Sequence, residues 1–399
     1  MRLSFAAMMS DIVSHLEAAV WLDGRNRRSG GTGVQSYARA LGETLSDLGI
    51  SSRVLQEQDG GRSSGVAGFL RAVSGQMPPL RPDIEGDPVG GNLYRIAHIR
   101  YRLLRRLSVI RSPACLAPPR IMHWTSPLPL RLRGARNVVT IHDLIPLTHP
   151  ELTGVDPSRY ACLIRELLDS ADGIATVSDV VRQEIISRFG ISPDRIDNLY
   201  QPVCCDDALR AEIARAQPVV PDGGFLFVGR VEARKNIDRL LRAHALSHST
   251  RPLALVGPDG DDHPDCSARG PSSRILRIPW CDRLRLLRTI AGAHAVLFPS
   301  LAEGFGLPVI EAMALDTPVL TSRDGATEEI AGDAALLVDP CDEKDIAAGI
   351  SALDNPVTGP ALRQSLKERG RLRAQFFSRE SFSTRLRSFY RRVDPDFPF

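Results

Sequence analysis

The sequence predicts an α/β protein built from two doubly wound, Rossmann-like units that face each other across a cleft. Three observations lead there. Short apolar runs alternate with helical patterns along most of the chain, as parallel strands with covering helices do. That series breaks around Val203–Asp222, where prolines and acids gather, and then begins again. A length of 399 residues is large for one core and natural for two.

The first unit opens with a strand at Ala18–Asp23, after an extension over residues 1–17 in which Met8 and Met9 are alternative starts. A GGTGV loop at Gly30–Val34 follows, and then Val34, Tyr37, Ala38, Leu41, Leu45 and Leu48 recur at helical spacing. A strand at Ser52–Gln56 completes a β-α-β unit. Residues 59–92, rich in Gly, Ser and Pro, read as loop. A helix is expected over Leu93–Leu107, then strands at Arg120–Trp124, Asn137–Ile141 and Gly173–Val177. Helices at Arg159–Asp169 and Val180–Phe189 go with them, giving an N-terminal domain over 18–205 and a linker over 206–222. The second unit, 223–376, takes strands at Phe225–Val228, Leu253–Val256, Ile275–Ile278, Ala295–Phe298 and Pro318–Thr321. Helices are expected at Ile237–Ala245, Asp282–Ala291, Pro308–Ala314, Ala326–Ile330 and Pro360–Phe376. A last helix, Arg379–Arg392 within 377–399, is expected to pack back on the first unit.

A hydrophobic content of 43% and a charged content of 24% are those of a soluble globular protein. No run approaches the ~18–20 apolar residues of a membrane helix. Met1–Ser10 makes a poor signal peptide, and the seven cysteines show no CxxC or metal-ligand spacing. A cytoplasmic location is the expectation, with the possibility of peripheral contact at the inner membrane face. That possibility comes from the stretch between Pro88 and His142, which has no Asp or Glu but ten arginines, Arg102, Arg105 and Arg106 among them. Such a stretch attracts phosphate-bearing partners or anionic lipid, or else is a solvated face. No aromatic interleaving accompanies it, which argues against nucleic acid.

The chemistry is concentrated in two places. In PSLAEGFGLPVIEAMA, Pro299–Ala314, a strand end leads through a glycine loop to a helix whose first turn carries Pro308. Backbone N–H groups of Gly304, Phe305, Gly306 and Leu307 can converge there on an anion or on sugar hydroxyls. Glu303 in the loop and Glu311 in the helix can each accept a pair of hydroxyl hydrogen bonds. In FLFVGRVEARKN, Phe225–Asn236, Arg230 and Lys235 follow a strand's carboxyl end beside Gly229. Two cations in that position suit a diphosphate leaving group.

Together with VVTIHDLIPL at Val138–Leu147, GGTGV at Gly30–Val34 and TSRDGATEEIAGDAALLVDP, these motifs make the chain resemble the retaining glycosyltransferases of family 4. Bacterial mannosyltransferases of cell-surface polysaccharide assembly are the members it resembles. The resemblance implies the two-domain GT-B fold, a nucleotide-diphosphate sugar as donor, and a glycan or glycolipid acceptor. It implies that Glu311 holds the donor ribose, Glu303 the transferred sugar, and Arg230 and Lys235 the diphosphate, with N–H groups of Gly306 and Leu307. Gly31 and Gly33 would approach the phosphates or acceptor from across the cleft. His142 and Asp143 would stand near the reacting centre, and Ser178 would either touch the acceptor or cap a helix. No metal or cofactor is expected. GDP-mannose is the first candidate donor. A nucleotide-sugar epimerase of the same architecture and a catalytically silent scaffold are the alternatives.

Overall fold

The computed structural model of the chain describes residues 18–25, 33–58, 77–265 and 274–399. Its first unit is a sheet of eight strands. They are β1 (Val20–Asp23), β2 (Ser52–Gln58), β3 (Arg81–Pro82), β4 (Pro88–Gly91), β6 (Ile121–Trp124), β8 (Arg136–Ile141), β9 (Gly173–Thr176) and β10 (Ile196–Asn198). They run in the order β10-β9-β8-β6-β1-β2-β4-β3, and only β3 is antiparallel to its neighbour. Two further strands, β5 (Ser108–Ile110) and β7 (Leu130–Leu132), form a parallel pair of their own.

The second unit has six parallel strands in the order β13-β12-β11-β14-β15-β16. These are β11 (Phe225–Val228), β12 (Leu253–Val256), β13 (Ile275–Ile278), β14 (Ala295–Phe298), β15 (Val319–Ser322) and β16 (Leu336–Val338). The central runs FLFV, LALV and AVLF are buried throughout, because helices cover both faces and no position is left for a polar side chain. Strand order reverses at β11, so a crevice opens beyond the carboxyl ends of β11 and β14. In the first sheet the reversal falls at β1 and β6. The two crevices face each other.

The structure departs from the sequence reading in a few places. The described part of 59–92 contains β3 and β4, and β4 pairs in parallel with β2. Its composition, one proline and two glycines in four residues, hides a strand by weakening every local signal for one. The helix expected to reach Leu107 stops at Leu104, where Arg105 turns to a φ of 53° and its N–H bonds back to Tyr101. The strand β16 and the helix Glu343–Asp354, capped by Asp342, extend the second unit beyond the expected elements.

The chain crosses between units twice, and the crossings touch: the Val203 N–H donates to the Phe377 carbonyl at 2.8 Å. After the second crossing, the helix Arg379–Val393 lies on the first sheet. Its Val393 and Phe389 cover Gly173, where a Cβ would come within 2.5 Å of Val393. Tyr390 hydroxyl and His123 Nδ1 are 2.8 Å apart, and Arg120 pairs with Asp394 through two bonds of 2.6 and 2.8 Å.

Candidate active site

Beyond β11, Gly229 takes a φ of 153° and the chain enters a short 3-10 turn, Ala233–Lys235. Arg230 emerges first, and its guanidinium donates to the Asp259 carbonyl at 3.0 Å. The turn then sends Arg234 and Lys235 to the same partner. Arg234 Nη1 lies 2.8 Å from Glu303 Oε2, and Lys235 Nζ pairs with Oε1 of the same carboxylate. The Lys235 ammonium also stands 4.6 Å over the Phe298 ring, a favourable cation–π position. Burial alone would push the Glu303 carboxyl up, but Arg234 and Lys235 together hold it below the ordinary carboxylate range. Glu303 is therefore charged and already carries two cations.

Past β14, the loop ends at Gly306, with a φ of 96°, and the helix Leu307–Ala314 begins with Pro308 in its first turn. Glu311 is 4% exposed and ion-pairs with Arg283 from the start of the helix Arg283–Gly292.

The facing wall ends β8 with Ile141, then His142 and Asp143. His142 Nε2 lies 2.8 Å from the Thr125 carbonyl. A carbonyl only accepts, so that nitrogen carries the proton and Nδ1 remains an acceptor. Burial pushes His142 down to about 4, leaving a neutral imidazole at physiological pH. Asp143 Oδ1 accepts from the Ile145 N–H at 3.1 Å. Its carboxyl is pushed up by burial, with Arg234 opposing from the other wall.

The walls meet at Gly304. A Cβ there would stand 1.9 Å from the His142 carbonyl oxygen, so only glycine lets the loop come this close. Ser178 Oγ donates to the Gly304 carbonyl at 2.7 Å while accepting from the Val181 N–H. Beside it the Glu329 carboxylate accepts from the N–H groups of Asp179 and Val180, at 2.7 and 2.8 Å, at the start of the helix Asp179–Phe189.

Between the walls lies a cavity of about 390 Å³. It is lined by Gly33, His142, Asp143, Gly229, Arg230, Lys235, Glu303, Gly304, Phe305, Gly306, Leu307 and Glu311, all singled out from sequence. Arg234, Arg283, Glu232 and Gln201 line it too and were not foreseen. Several expected roles change. Lys235 is not a free clamp, because Glu303 holds it. Glu303 carries one cation on each oxygen, Arg234 on Oε2 and Lys235 on Oε1, so any sugar hydroxyl would share it with them. Phe305 is 3% exposed and packs edge-on against Phe377, so only its backbone is available to a ligand. Ser178 caps its helix and clasps Gly304; it lies outside the cavity lining. Arg102, Arg105 and Arg106 are exposed around the end of the helix Leu93–Leu104, away from the cavity lining. Gly31 lies outside the described residues.

Comparison with known proteins gives this geometry a family. Residues 31–207 match the family described as Glycosyltransferase Family 4, and residues 212–373 match Glycosyl transferases group 1. The O-antigen chain mannosyltransferase B of Escherichia coli is 34% identical over 279 residues, which is 66% of this chain and 72% of that protein. This chain belongs to glycosyltransferase family 4. A D-inositol 3-phosphate glycosyltransferase of Mycolicibacterium smegmatis is 32% identical over 54% of this chain and 53% of its own length. Among solved structures, sucrose-phosphate synthase of Thermosynechococcus elongatus superposes with a TM-score of 0.64 at 20% identity, covering 94% of this chain and 99% of that one. An Anabaena protein in complex with UDP and glucose gives 0.60 at 13%, over 92% and 98%. These likenesses fix the fold as GT-B. The enzyme is a sugar transferase, and its largest described cleft cavity brings cations, carboxylates and backbone N–H groups together. Among the described residues, no helix is long and apolar enough to cross a membrane.

Proposed function

We propose that this glycosyltransferase moves a hexose from a nucleotide diphosphate, with mannose from GDP-mannose as the first candidate. The transfer retains anomeric configuration and goes to a lipid-linked or lipopolysaccharide glycan. The observation that carries the reading is the single cavity in which Arg230, the Glu303–Leu307 loop and Glu311 meet His142. The likeness to the O-antigen chain mannosyltransferase B of Escherichia coli supports mannose.

In this reading the diphosphate lies against Arg230 and the Gly306 and Leu307 N–H groups, with Lys235 and Arg234 behind it. Glu311, already ordered by Arg283, takes the ribose hydroxyls. His142 Nδ1 accepts from a hexose hydroxyl. The acceptor oxygen bonds to the anomeric carbon on the face from which the phosphate oxygen departs, and that phosphate takes the acceptor's proton. Side chains supply the positive charge that meets the anionic diphosphate, so this mechanism calls for no metal. Screening nucleotide sugars for protection against thermal unfolding tests the donor, since a true donor binds the folded state. NMR of the first-formed product tests retention; an inverted anomer would overturn it. Loss of activity in EDTA would overturn the metal-free mechanism.

Peripheral membrane contact is supported by side chains around the end of the helix Leu93–Leu104. Leu103, Leu104 and Val109, 48%, 50% and 55% exposed, stand beside exposed Arg102, Arg105 and Arg106. Apolar side chains flanked by cations are what an anionic lipid surface holds. Binding to phosphatidylglycerol vesicles, lost when the three arginines become glutamate, tests it; no binding at low salt returns the arginines to solvent. Transfer to an inositol phosphate is the second reading, favoured by the likeness to the Mycolicibacterium smegmatis protein.

A further inference from the structure

Next to the donor cavity lies a second one of about 180 Å³, also between the two units. The helices Ile145–Thr148 and Asp179–Phe189 form one side of it, and the loops Ser300–Glu303 and Ser322–Thr327 the other. It shares Asp143 and Glu303 with the donor cavity. A molecule seated there therefore adjoins the reacting centre.

Its lining differs sharply in charge. The donor cavity is lined by Arg230, Arg234, Lys235 and Arg283, whereas no Lys or Arg lines the second. Carboxylates stand there instead: Glu184 and Asp324, besides the two shared ones. The Glu303 charge is already met by Arg234 and Lys235. The Glu184 side chain is half-buried and makes no hydrogen bond or ion pair with the described residues, although Arg188 and His149 act on its charge from nearby. Asp324 is exposed at a left-handed turn, φ 59°. At the edge of this cavity Ser300 is 3% exposed, and its hydroxyl lies beside Glu303 without a hydrogen bond of good geometry. A buried hydroxyl is rarely left without a partner, and carboxylates that water can reach, as Glu184 and Asp324 are, stay open to a ligand's hydroxyls. Neighbouring hydroxyls of a sugar ring supply the donors that such groups accept. A phosphate would add negative charge beside four carboxylates, against which the lining sets His149 but no Lys or Arg. Burial and the Asp143 carboxylate push the Glu184 carboxyl up against the opposing pull of Arg188 and His149, so the cavity does not favour further negative charge.

We infer that this second cavity is an acceptor subsite, and that it selects an uncharged, hydroxyl-rich sugar unit over a phosphorylated one. The inference rests on the donor reading above and decides between its two acceptors, favouring the neutral glycan.

The test uses the full-length enzyme loaded with GDP. Saturation-transfer NMR compares neutral methyl glycosides of mannose, glucose, galactose and N-acetylglucosamine with the corresponding 6-phosphates. At least one neutral glycoside is expected to bind, and its phosphate is not. Glu184→Gln should weaken the neutral ligand about tenfold, the loss of one charged hydrogen bond, with thermal protection by GDP unchanged. Glu184→Lys should admit the phosphate. Equal binding of glycosides and phosphates, no binding of any neutral glycoside, or an unaltered Glu184→Gln would overturn the inference. If neither GDP nor any nucleotide sugar protects the wild type, the donor reading itself fails and takes the inference with it. Protection with any of the three adverse results overturns the inference alone.

Discussion

Each wall of the cleft is a parallel strand, a tight turn and a helix start, yet the two walls are charged very differently. The second unit brings Arg230, Arg234, Lys235 and Arg283 to the donor cavity, with Glu303 and Glu311 locked between them. The first unit brings Gly33, a histidine kept neutral by burial and one carboxyl, Asp143. One wall is a preorganised ionic lattice and the other is shape and neutral hydrogen bonds. The difference teaches that, if the proposed donor reading holds, the charge of a leaving diphosphate is answered almost wholly by one half of the enzyme. The other half is free to vary in what it admits.

The largest effect should come from breaking the lattice. Lys235→Ala leaves Glu303 with Arg234 alone, and kcat should fall on the order of 10²–10³-fold, as for loss of one electrostatic stabiliser. Because Lys235 is buried, stability should fall as well, by about 2–3 kcal/mol. Steady-state kinetics and urea unfolding check the two effects separately, and a variant normal in both would show that the lattice does not matter. Gly304→Ala comes next. Its new methyl would meet the His142 carbonyl, force the walls apart and cost about 10²-fold in kcat/KM, the usual scale for a displaced reacting group. Normal turnover in this variant would mean that the walls need not touch. Glu329→Gln should act more weakly, through the clasp on the helix Asp179–Phe189. Losing a carboxylate at a helix N-terminus costs ~0.3–1 kcal/mol, so donor KM should rise a few-fold, with a more open envelope in X-ray scattering. An unchanged envelope would assign closure to Ser178 and Gly304.

Acid should affect turnover least and stability more. Burial pushes His123 down to about 3 and His142 down to about 4, against ~6.5 in an unfolded chain. The unfolded state then binds more protons, so their contribution is full above pH 6.5 and is lost as pH falls toward 4. Asp23 opposes this: burial raises it to about 6, so it stabilises the fold as pH falls toward 4. Two histidines outweigh it, and Tm should drop between pH 6.5 and 4.5. His123→Gln should flatten that drop; an equally steep one would place the acid sensitivity elsewhere.

Much of this was legible in sequence wherever function and local structure coincide. The loop from Glu303 to Leu307 and the helix residue Glu311 are close in the chain, and their spacing alone delivers them to one cavity. The strand FLFV was equally plain, since a strand buried on both faces has to be continuously apolar. Arg283 was not legible, because it reaches Glu311 across 28 residues and nothing in its own neighbourhood marks it. Arg234 was passed over for Lys235, although the 3-10 turn delivers both to one carboxylate. Ion pairs also change what a residue can do. Glu303 read as an unpaired carboxylate only because its cationic partners could not be seen. The strand β4 escaped for the opposite reason, having pairing without any propensity.

The helix Arg379–Val393 has a further consequence, for the order in which the molecule is made. It covers the first sheet, with Phe389 and Val393 on Gly173 and Tyr390 against His123. During synthesis, the strands of the first unit, the last of which ends at Asn198, leave the ribosome well ahead of the helix that completes it, which begins only at Arg379. The earlier-made half must wait with an apolar face uncovered while the later-made half is produced. The half made first is thus the half finished last, after the helix Gly359–Phe376 has already closed the second unit.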